Sequence, residues 1–299
     1  MTRNKKWQGK TGGGSFGQKA LFFYFKHGSI SVAYAIVSVV ILLYLIVNYS
    51  ATKSIYSYFK KRQKYSVFRS ILSTYRNHYI FGKTLIDKFA MFAGRRSSYS
   101  VEVVGQEYFD AIIQNPNTGA IIINSHVGST EMAGYFLKQN VKKLHAVVYG
   151  GEAAEMQKHR DRILAEHNVE MIPVVDGFSH VFAVHNALKN FDLVSMAGDR
   201  VYEGSKNVEV MFLEAPAQFP ISAFQLAVKL NVPVLALFVM MSGHKKYTVY
   251  VHSITVEHSP ETSQQQRIQN YIQAYAAYIE CMLELYPLQW FNFYDFWKK

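Results

Sequence analysis

Ala120-Ile-Ile-Ile-Asn-Ser-His-Val-Gly-Ser-Thr-Glu-Met-Ala-Gly-Tyr-Phe-Leu137 is the stretch whose reading decides the fold. Ala120 to Ile123 is an unbroken apolar run, as expected of a strand buried on both faces. Asn124 and Ser125 end it, Val127-Gly128 makes a tight turn, and Ser129 or Thr130 can cap a helix through Leu137. His126 then stands just past the carboxyl end of a buried strand, with Glu131 in the first turn of the next helix. Open α/β sheets place their ligand crevice at that edge. A histidine there can accept a proton while a carboxylate holds its other ring nitrogen. The five-residue spacing alone is weak, because 11 histidines and 21 acids produce such pairs by chance. Two occur, His126/Glu131 and His252/Glu257. The second lies in an alternating strand, where residues five apart point to opposite faces. The residues alone leave His126 open between a catalytic base and a hydrogen-bonded structural histidine.

The chain's 299 residues suit one large domain plus an attachment, and its net charge of +11 is unevenly placed. Residues 1–100 hold 17 of the 32 Lys/Arg against a single acid, Asp87. This basic third flanks the most hydrophobic segment, which points to anionic lipid headgroups, with a plain basic solvated surface as the alternative. No nucleic-acid recognition motif accompanies it. The lone Cys281 excludes an intramolecular disulfide and fits a reducing compartment.

Residues 1–27 read as a basic, glycine-rich irregular arm, and 28–52 as a transmembrane anchor. No Lys, Arg, Asp or Glu falls between His27 and Thr52, and Ile30 to Val47 is almost wholly apolar. At about 1.5 Å per residue, that suits a bilayer core about 30 Å thick. A buried core helix is the alternative; a signal peptide fits less well, since Asn48-Tyr-Ser-Ala51 is a poor cleavage site. Charge bias does not orient the span, because six Lys/Arg lie in residues 1–26 and six in 53–69. Residues 53–98 read as an amphipathic helical region at a membrane surface, closed by a linker near Gly94-Arg-Arg-Ser-Ser98. A helix packed plainly on the domain explains the same pattern.

From residue 99 to 299, strands and helices alternate, which predicts a mostly parallel sheet sandwiched by helices with a late antiparallel pair. Strands are expected at Ser100–Val104, Ala120–Asn124, Leu144–Tyr149, Glu170–Val175, Leu193–Ala197, Pro233–Met241 and Tyr247–Val256. Helices are expected over Gln106–Gln114, Glu152–His167, Ser179–Lys189, Pro220–Leu230 and Thr262–Leu285. Val201–Phe219 shows no clear element. Gly198-Asp-Arg200 is a second feature at a strand's carboxyl end. Arg200 can clamp a phosphate or carboxylate, and Asp199 can orient Arg200 or a substrate hydroxyl; a loop ion pair explains both equally well. There is no metal motif, nucleophile elbow or phosphate-binding glycine loop.

Several blocks together resemble the late acyltransferases of lipid A biosynthesis, within the lysophospholipid and glycolipid acyltransferase superfamily. They are Asn124-Ser-His-Val-Gly-Ser-Thr-Glu131 (similar to the family's His-x4-Asp/Glu block), Gly198-Asp-Arg200, Phe212-Leu-Glu-Ala-Pro-Ala-Gln-Phe-Pro220, Asn231-Val-Pro-Val234 and the aromatic close Pro287 to Trp297. Pro220-Ile-Ser-Ala-Phe224 departs from the family, many members having a glycine near that helix start. The resemblance implies that His126 acts as general base, with Glu131 holding its tautomer. It implies substrate contacts at Asn124, Ser125, Asp199, Arg200 and Phe219, and no cofactor or metal. The implied donor is an acyl thioester on acyl carrier protein or coenzyme A, and the acceptor a membrane glycolipid or other lipid. The implied place is the bacterial inner membrane, single-pass, with the catalytic domain on the cytoplasmic face. An aminolipid or lysophospholipid acceptor, a membrane-anchored thioesterase and a non-catalytic scaffold are the other readings.

Overall fold

The structure is a computed structural model that describes residues 23–136, 141–149, 168–174, 179–201, 205–257 and 259–297. Its helices are α1 (Ile30–Val47), α2 (Tyr49–Ser57), α3 (Val67–Phe92), α4 (Gln106–Gln114), α5 (Ala133–Phe136), α6 (Ser179–Lys189), α7 (Ser222–Leu230) and α8 (Gln264–Leu285). Its strands are β1 (Ser100–Val104), β2 (Ala120–Gly128), β3 (Leu144–Tyr149), β4 (Val169–Val174), β5 (Leu193–Ala197), β6 (Asn207–Phe212), β7 (Ala215–Pro220), β8 (Val234–Gly243) and β9 (Lys246–Ser253). Seven of them form one sheet in the order β1-β9-β8-β2-β5-β3-β4, while β6 and β7 pair as a separate hairpin. β2 runs parallel to both β5 and β8, as expected for a strand apolar on both faces. β8 and β9 are the antiparallel pair, and β1 lies parallel to β9.

Alternation along β2 divides the core. Ile121, Ile123 and Val127 pack with Phe224 and Ala227 of α7 and Ile272, Tyr275 and Ile279 of α8. Ala120 and Ile122 face the other layer, with Phe109 and Ile112 of α4 and Ile86 and Ala90 of α3. The sheet is therefore covered by helices on both faces, with α1 in the second layer.

Four differences from the sequence reading have local causes. First, β2 continues through His126 to Gly128, because the ladder to β8 slips between Asn124 and Gly128 instead of ending. Residues 125–127 bulge out of register and re-aim their side chains, as bulges beside sites do. Second, the helix expected through Leu137 is only a 3₁₀ turn, Thr130–Met132, followed by the single turn α5, and residues 137–140 lie outside the described residues. Third, the featureless Val201–Phe219 contains the β6/β7 hairpin. Its two-residue turn is Leu213-Glu214, with φ of 48° and 60°. Both central residues are left-handed, as a type I′ turn requires, but neither is the Asn or Gly that would announce it. Fourth, Pro220 closes β7 and α7 starts at Ser222. Of the irregular arm expected over residues 1–27, residues 1–22 lie outside the described residues and 23–27 are helical instead, while the helix expected at Glu152–His167 lies outside the described residues.

The amino-terminal helices are built around a shared carboxylate. Asp87 of α3 is fully buried and accepts hydrogen bonds from the phenols of Tyr34 on α1, Tyr99 (2.8 Å) before β1, and Tyr247 on β9. Burial pushes the Asp87 carboxyl upward, against the lowering effect of the phenols and of nearby Lys83. Near it α1 and α3 touch backbone-close: a Cβ on Gly82 would lie 2.6 Å from Val37 Cγ1. α3 is reversed relative to a helix of a water-soluble domain. Ser70, Ser73, Thr74, Asn77 and His78 are buried, while Val67, Phe68, Ile71, Leu72 and Leu85 are exposed, Phe68 to 79%. α1 is long and apolar enough to cross a membrane, and only 22% of its residues are buried.

Candidate active site

Parallel pairing brings two strand ends to one edge. Asn124 pairs with Ala197, so β2 and β5 open side by side, and the Gly198 N–H donates to the Asn124 carbonyl at 2.9 Å. The Tyr275 hydroxyl from α8 donates to the same carbonyl at 2.6 Å. Only glycine fits at 198, since a Cβ there would stand 2.6 Å from Ile123 Cδ1 and 2.9 Å from Tyr275 Cε1. This close approach lets β5 deliver Asp199 directly under the bulge of β2.

Asp199 is buried, and both its carboxylate oxygens meet His126. Oδ2 accepts the His126 backbone N–H at 2.6 Å and Oδ1 lies 2.8 Å from the ring Nδ1. Burial pushes the Asp199 pKa up, but the neighbouring His126 imidazole, the two hydrogen bonds from His126 and the Arg200 charge outweigh it, and the net shift is downward. An ionised carboxylate can only accept, so Nδ1 carries a hydrogen, and in the neutral ring the lone pair lies on Nε2. The His126 side chain is 34% exposed against 4% for Asp199. The arrangement is thus an imidazole fixed on its inner nitrogen, with its outer nitrogen available to a hydroxyl or water.

On the other side of His126 its carbonyl accepts the Phe291 N–H at 2.8 Å, and Val127 bridges to Trp290. Gly128, at φ 74°, turns the chain tightly against β8: a Cβ would lie 2.3 Å from the Val239 carbonyl oxygen. Ser129 N–H then donates to that same carbonyl at 2.8 Å. The bulge is clamped from β5, β8 and the carboxyl-terminal segment.

The remaining expected residues distribute unevenly. Asn124 donates from Nδ2 to Ser195 Oγ at 2.9 Å, and the buried Ser125 accepts from Val127 N at 3.1 Å. Both shape the bulge. Arg200 reaches the Phe291 carbonyl from Nη2 at 3.5 Å, its guanidinium lies 5.5 Å from the Tyr294 ring, and its Nε is buried without a partner among the described residues. Phe219 is a fully buried core residue among Phe212, Tyr275 and Phe296. Glu131 falls in the 3₁₀ turn, and its side chain lies outside the described residues. The sequence reading gave Glu131 the place on the imidazole; the carboxylate found on Nδ1 is Asp199. His252 stacks on Tyr278 at 4.7 Å with its Nε2 buried and unpartnered among the described residues, as a core residue would. Tyr275 and Phe291, which hold the strand ends and the His126 backbone, carried no sequence signal beyond lying in a long helix and an aromatic close.

The fold and site define an α/β enzyme class with a carboxylate-steadied histidine at the carboxyl edge of a mostly parallel sheet. The model of the bacterial lipid A biosynthesis acyltransferase family matches residues 66–299, and the chain belongs to that family. Acyltransferase activity in lipid A biosynthesis follows from that membership. None of the curated proteins matches the chain.

Proposed function

We propose that the protein transfers a fatty acyl chain from an acyl thioester to a hydroxyl of a lipid A precursor or related membrane glycolipid, with His126 as general base. The observation that carries this reading is the pair of contacts from buried Asp199 to His126, at 2.6 and 2.8 Å, which fixes the tautomer a base needs. The acceptor O–H gives its proton to Nε2 as its oxygen attacks the thioester carbonyl. The oxyanion so formed collapses, the C–S bond breaks, and the departing thiolate takes the proton back from the imidazolium. Asp199 stabilises that imidazolium. Glu131, one turn further on, is proposed as a second acid of the site, and Arg200 as a cation facing the oxyanion or a substrate phosphate. The chemistry needs no cofactor.

The donor is proposed to be acyl carrier protein or acyl-coenzyme A. A carrier protein is acidic, and the basic Lys53–Arg96 region suits it. Because those donors are cytosolic, the catalytic domain is proposed to face the cytoplasm from the inner membrane, with α1 as the single span. The test is purified His126→Ala assayed with donor, glycolipid acceptor and water. Turnover should fall roughly a hundredfold to ten-thousandfold, with folding and membrane binding retained, whereas His252→Ala stays near wild type. Near-normal transfer by His126→Ala sinks the assignment, and hydrolysis without transfer by wild type replaces it with a thioesterase.

A further inference from the structure

Between α2 and the carboxyl-terminal segment lies a cavity of about 240 Å³. It is lined by Ser54, Ser57, Lys61, Arg62, Asn292 and Asp295 over a floor of Tyr58, Trp290 and Trp297. The helix widens here: Tyr58–Arg62 is a π-turn, closed by Gln63 N–H to the Tyr58 carbonyl at 3.1 Å. Such widened turns are rare and cluster at functional positions. This one is rigidly seated, with the buried Tyr58 hydroxyl 3.2 Å from the Pro287 carbonyl oxygen and its ring 4.8 Å from Trp290. Lys64 of the same stretch is ion-paired with Glu214 at 2.6 Å; Arg62, whose charge also acts on Glu214, lines the cavity together with Lys61. The Arg62 guanidinium lies over the Trp297 ring, its carbon 4.3 Å from the ring centre, which restrains its position. Asp295 is the one carboxylate among these lining residues, against two cations, and it is exposed.

We propose that this cavity is a phosphate-binding subsite, in which Lys61 and Arg62 hold the phosphate group of a substrate whose reacting end lies at His126. The inference deepens the acyl-transfer reading and rests on it for which substrate is bound. Three observations support it. The cavity is polar and about eight times the liquid volume of one water, which accommodates a phosphate with a few waters. A stacked guanidinium beside an ammonium is the donor set that phosphate recognition uses. And the wall is continuous with the candidate active site: Trp290 and Asn292 flank Phe291, whose N–H binds the His126 carbonyl, while the Tyr294 ring in the same wall carries the Arg200 guanidinium. The phosphate can come from the glycolipid acceptor or from the donor's thioester carrier.

Binding, not turnover, tests it. The full chain in dodecyl maltoside micelles, which contain no phosphate, is titrated with three probes. They are a disaccharide glycolipid bearing phosphate monoesters, the same lipid after phosphatase treatment, and an acyl-coenzyme A. Lys61→Gln/Arg62→Gln should weaken a phosphorylated probe about tenfold and leave the dephosphorylated lipid unchanged, and Lys61→Arg should bind like wild type. Loss confined to the glycolipid makes the acceptor the source; loss confined to acyl-coenzyme A makes it the donor. Equal affinity of wild type and double variant for both phosphorylated probes overturns the subsite. So does an equal loss for phosphorylated and dephosphorylated lipid. If the double variant folds poorly, Lys61→Gln alone, at an exposed side chain away from the Trp297 stack, is read against the same three probes by the same criteria. The outcome is independent of whether the enzyme transfers or hydrolyses.

Discussion

Asp199 shows what a single carboxylate does when buried against a histidine. Asp199→Asn keeps the shape but presents an N–H to Nδ1, so the imidazole must shift its hydrogen to Nε2 and lose the lone pair that accepts the acceptor's proton. Turnover should fall roughly a hundredfold to ten-thousandfold, and comparison with Glu131→Gln under the same conditions ranks the two acids. A smaller loss in Asp199→Asn than in Glu131→Gln would return the orienting role to Glu131. The pH dependence follows the direction of the shift. A carboxyl held below its ordinary value contributes stability that is present above the unfolded value, near pH 4, and is lost as pH falls through the lower folded value. Melting curves of Asp199→Asn should therefore lack part of the acid-side decline of wild type. Arg200→Lys keeps the charge and loses the planar fork; if Arg200 holds the oxyanion or a phosphate, it should cost on the order of 2–4 kcal/mol in transition-state stabilisation with little change in melting temperature. Retention of most activity makes Arg200 a structural cation on Tyr294. At this scale the sequence placed His126, Asp199 and Arg200 at one edge, but not the partnership, because a hydrogen bond between residues 73 apart leaves no periodic trace.

Elements were legible where their pattern was strong. The short apolar run that opens β2 and the alternation of β9 mark strands, and the long final helix expected over Thr262–Leu285 is α8, Gln264–Leu285. What escaped depended on tertiary contact. The β6/β7 hairpin turns at Leu213-Glu214 without a turn signal, and β6 is steadied from α8, where Gln273 exchanges hydrogen bonds with the Met211 backbone at 3.1 and 3.0 Å. The bulge in β2 likewise depends on β8 and on Phe291. Asp87 is the element-scale counterpart, since α1, the residue before β1 and β9 each donate a phenol to this one carboxylate of α3. Asp87→Ala leaves three phenols without their acceptor, and buried unsatisfied groups cost about 1–3 kcal/mol each. The expected loss is on the order of 3 kcal/mol, read as a lower melting temperature in detergent with all three tyrosines present. An unchanged melting temperature would show that the phenols find water instead.

Across the whole molecule, the exposed apolar residues of α1 and of the outward face of α3 are the surface proposed to meet lipid. An apolar helix of 18 residues that leaves most of its surface uncovered is expected to span, so alkaline carbonate should not release the full chain. Release would leave α1 as a surface helix. The fold class was readable from alternating strands and helices, whereas the packing of α1 onto α3 was not, because it relies on Gly82 and Tyr34, small or polar exceptions within ordinary-looking helices. The reversal of α3 has a further consequence for encounter. If the exposed Phe68, Ile71 and Leu72 are immersed in lipid, the protein is expected to float at a set draught, with the crevice holding His126 at one height above the hydrocarbon. A lipid acceptor would then reach it by sliding sideways through the leaflet, without having to surface. On that placement the search would be two-dimensional, and saturation should follow the mole fraction of acceptor among neighbouring lipids rather than its molarity in the cell.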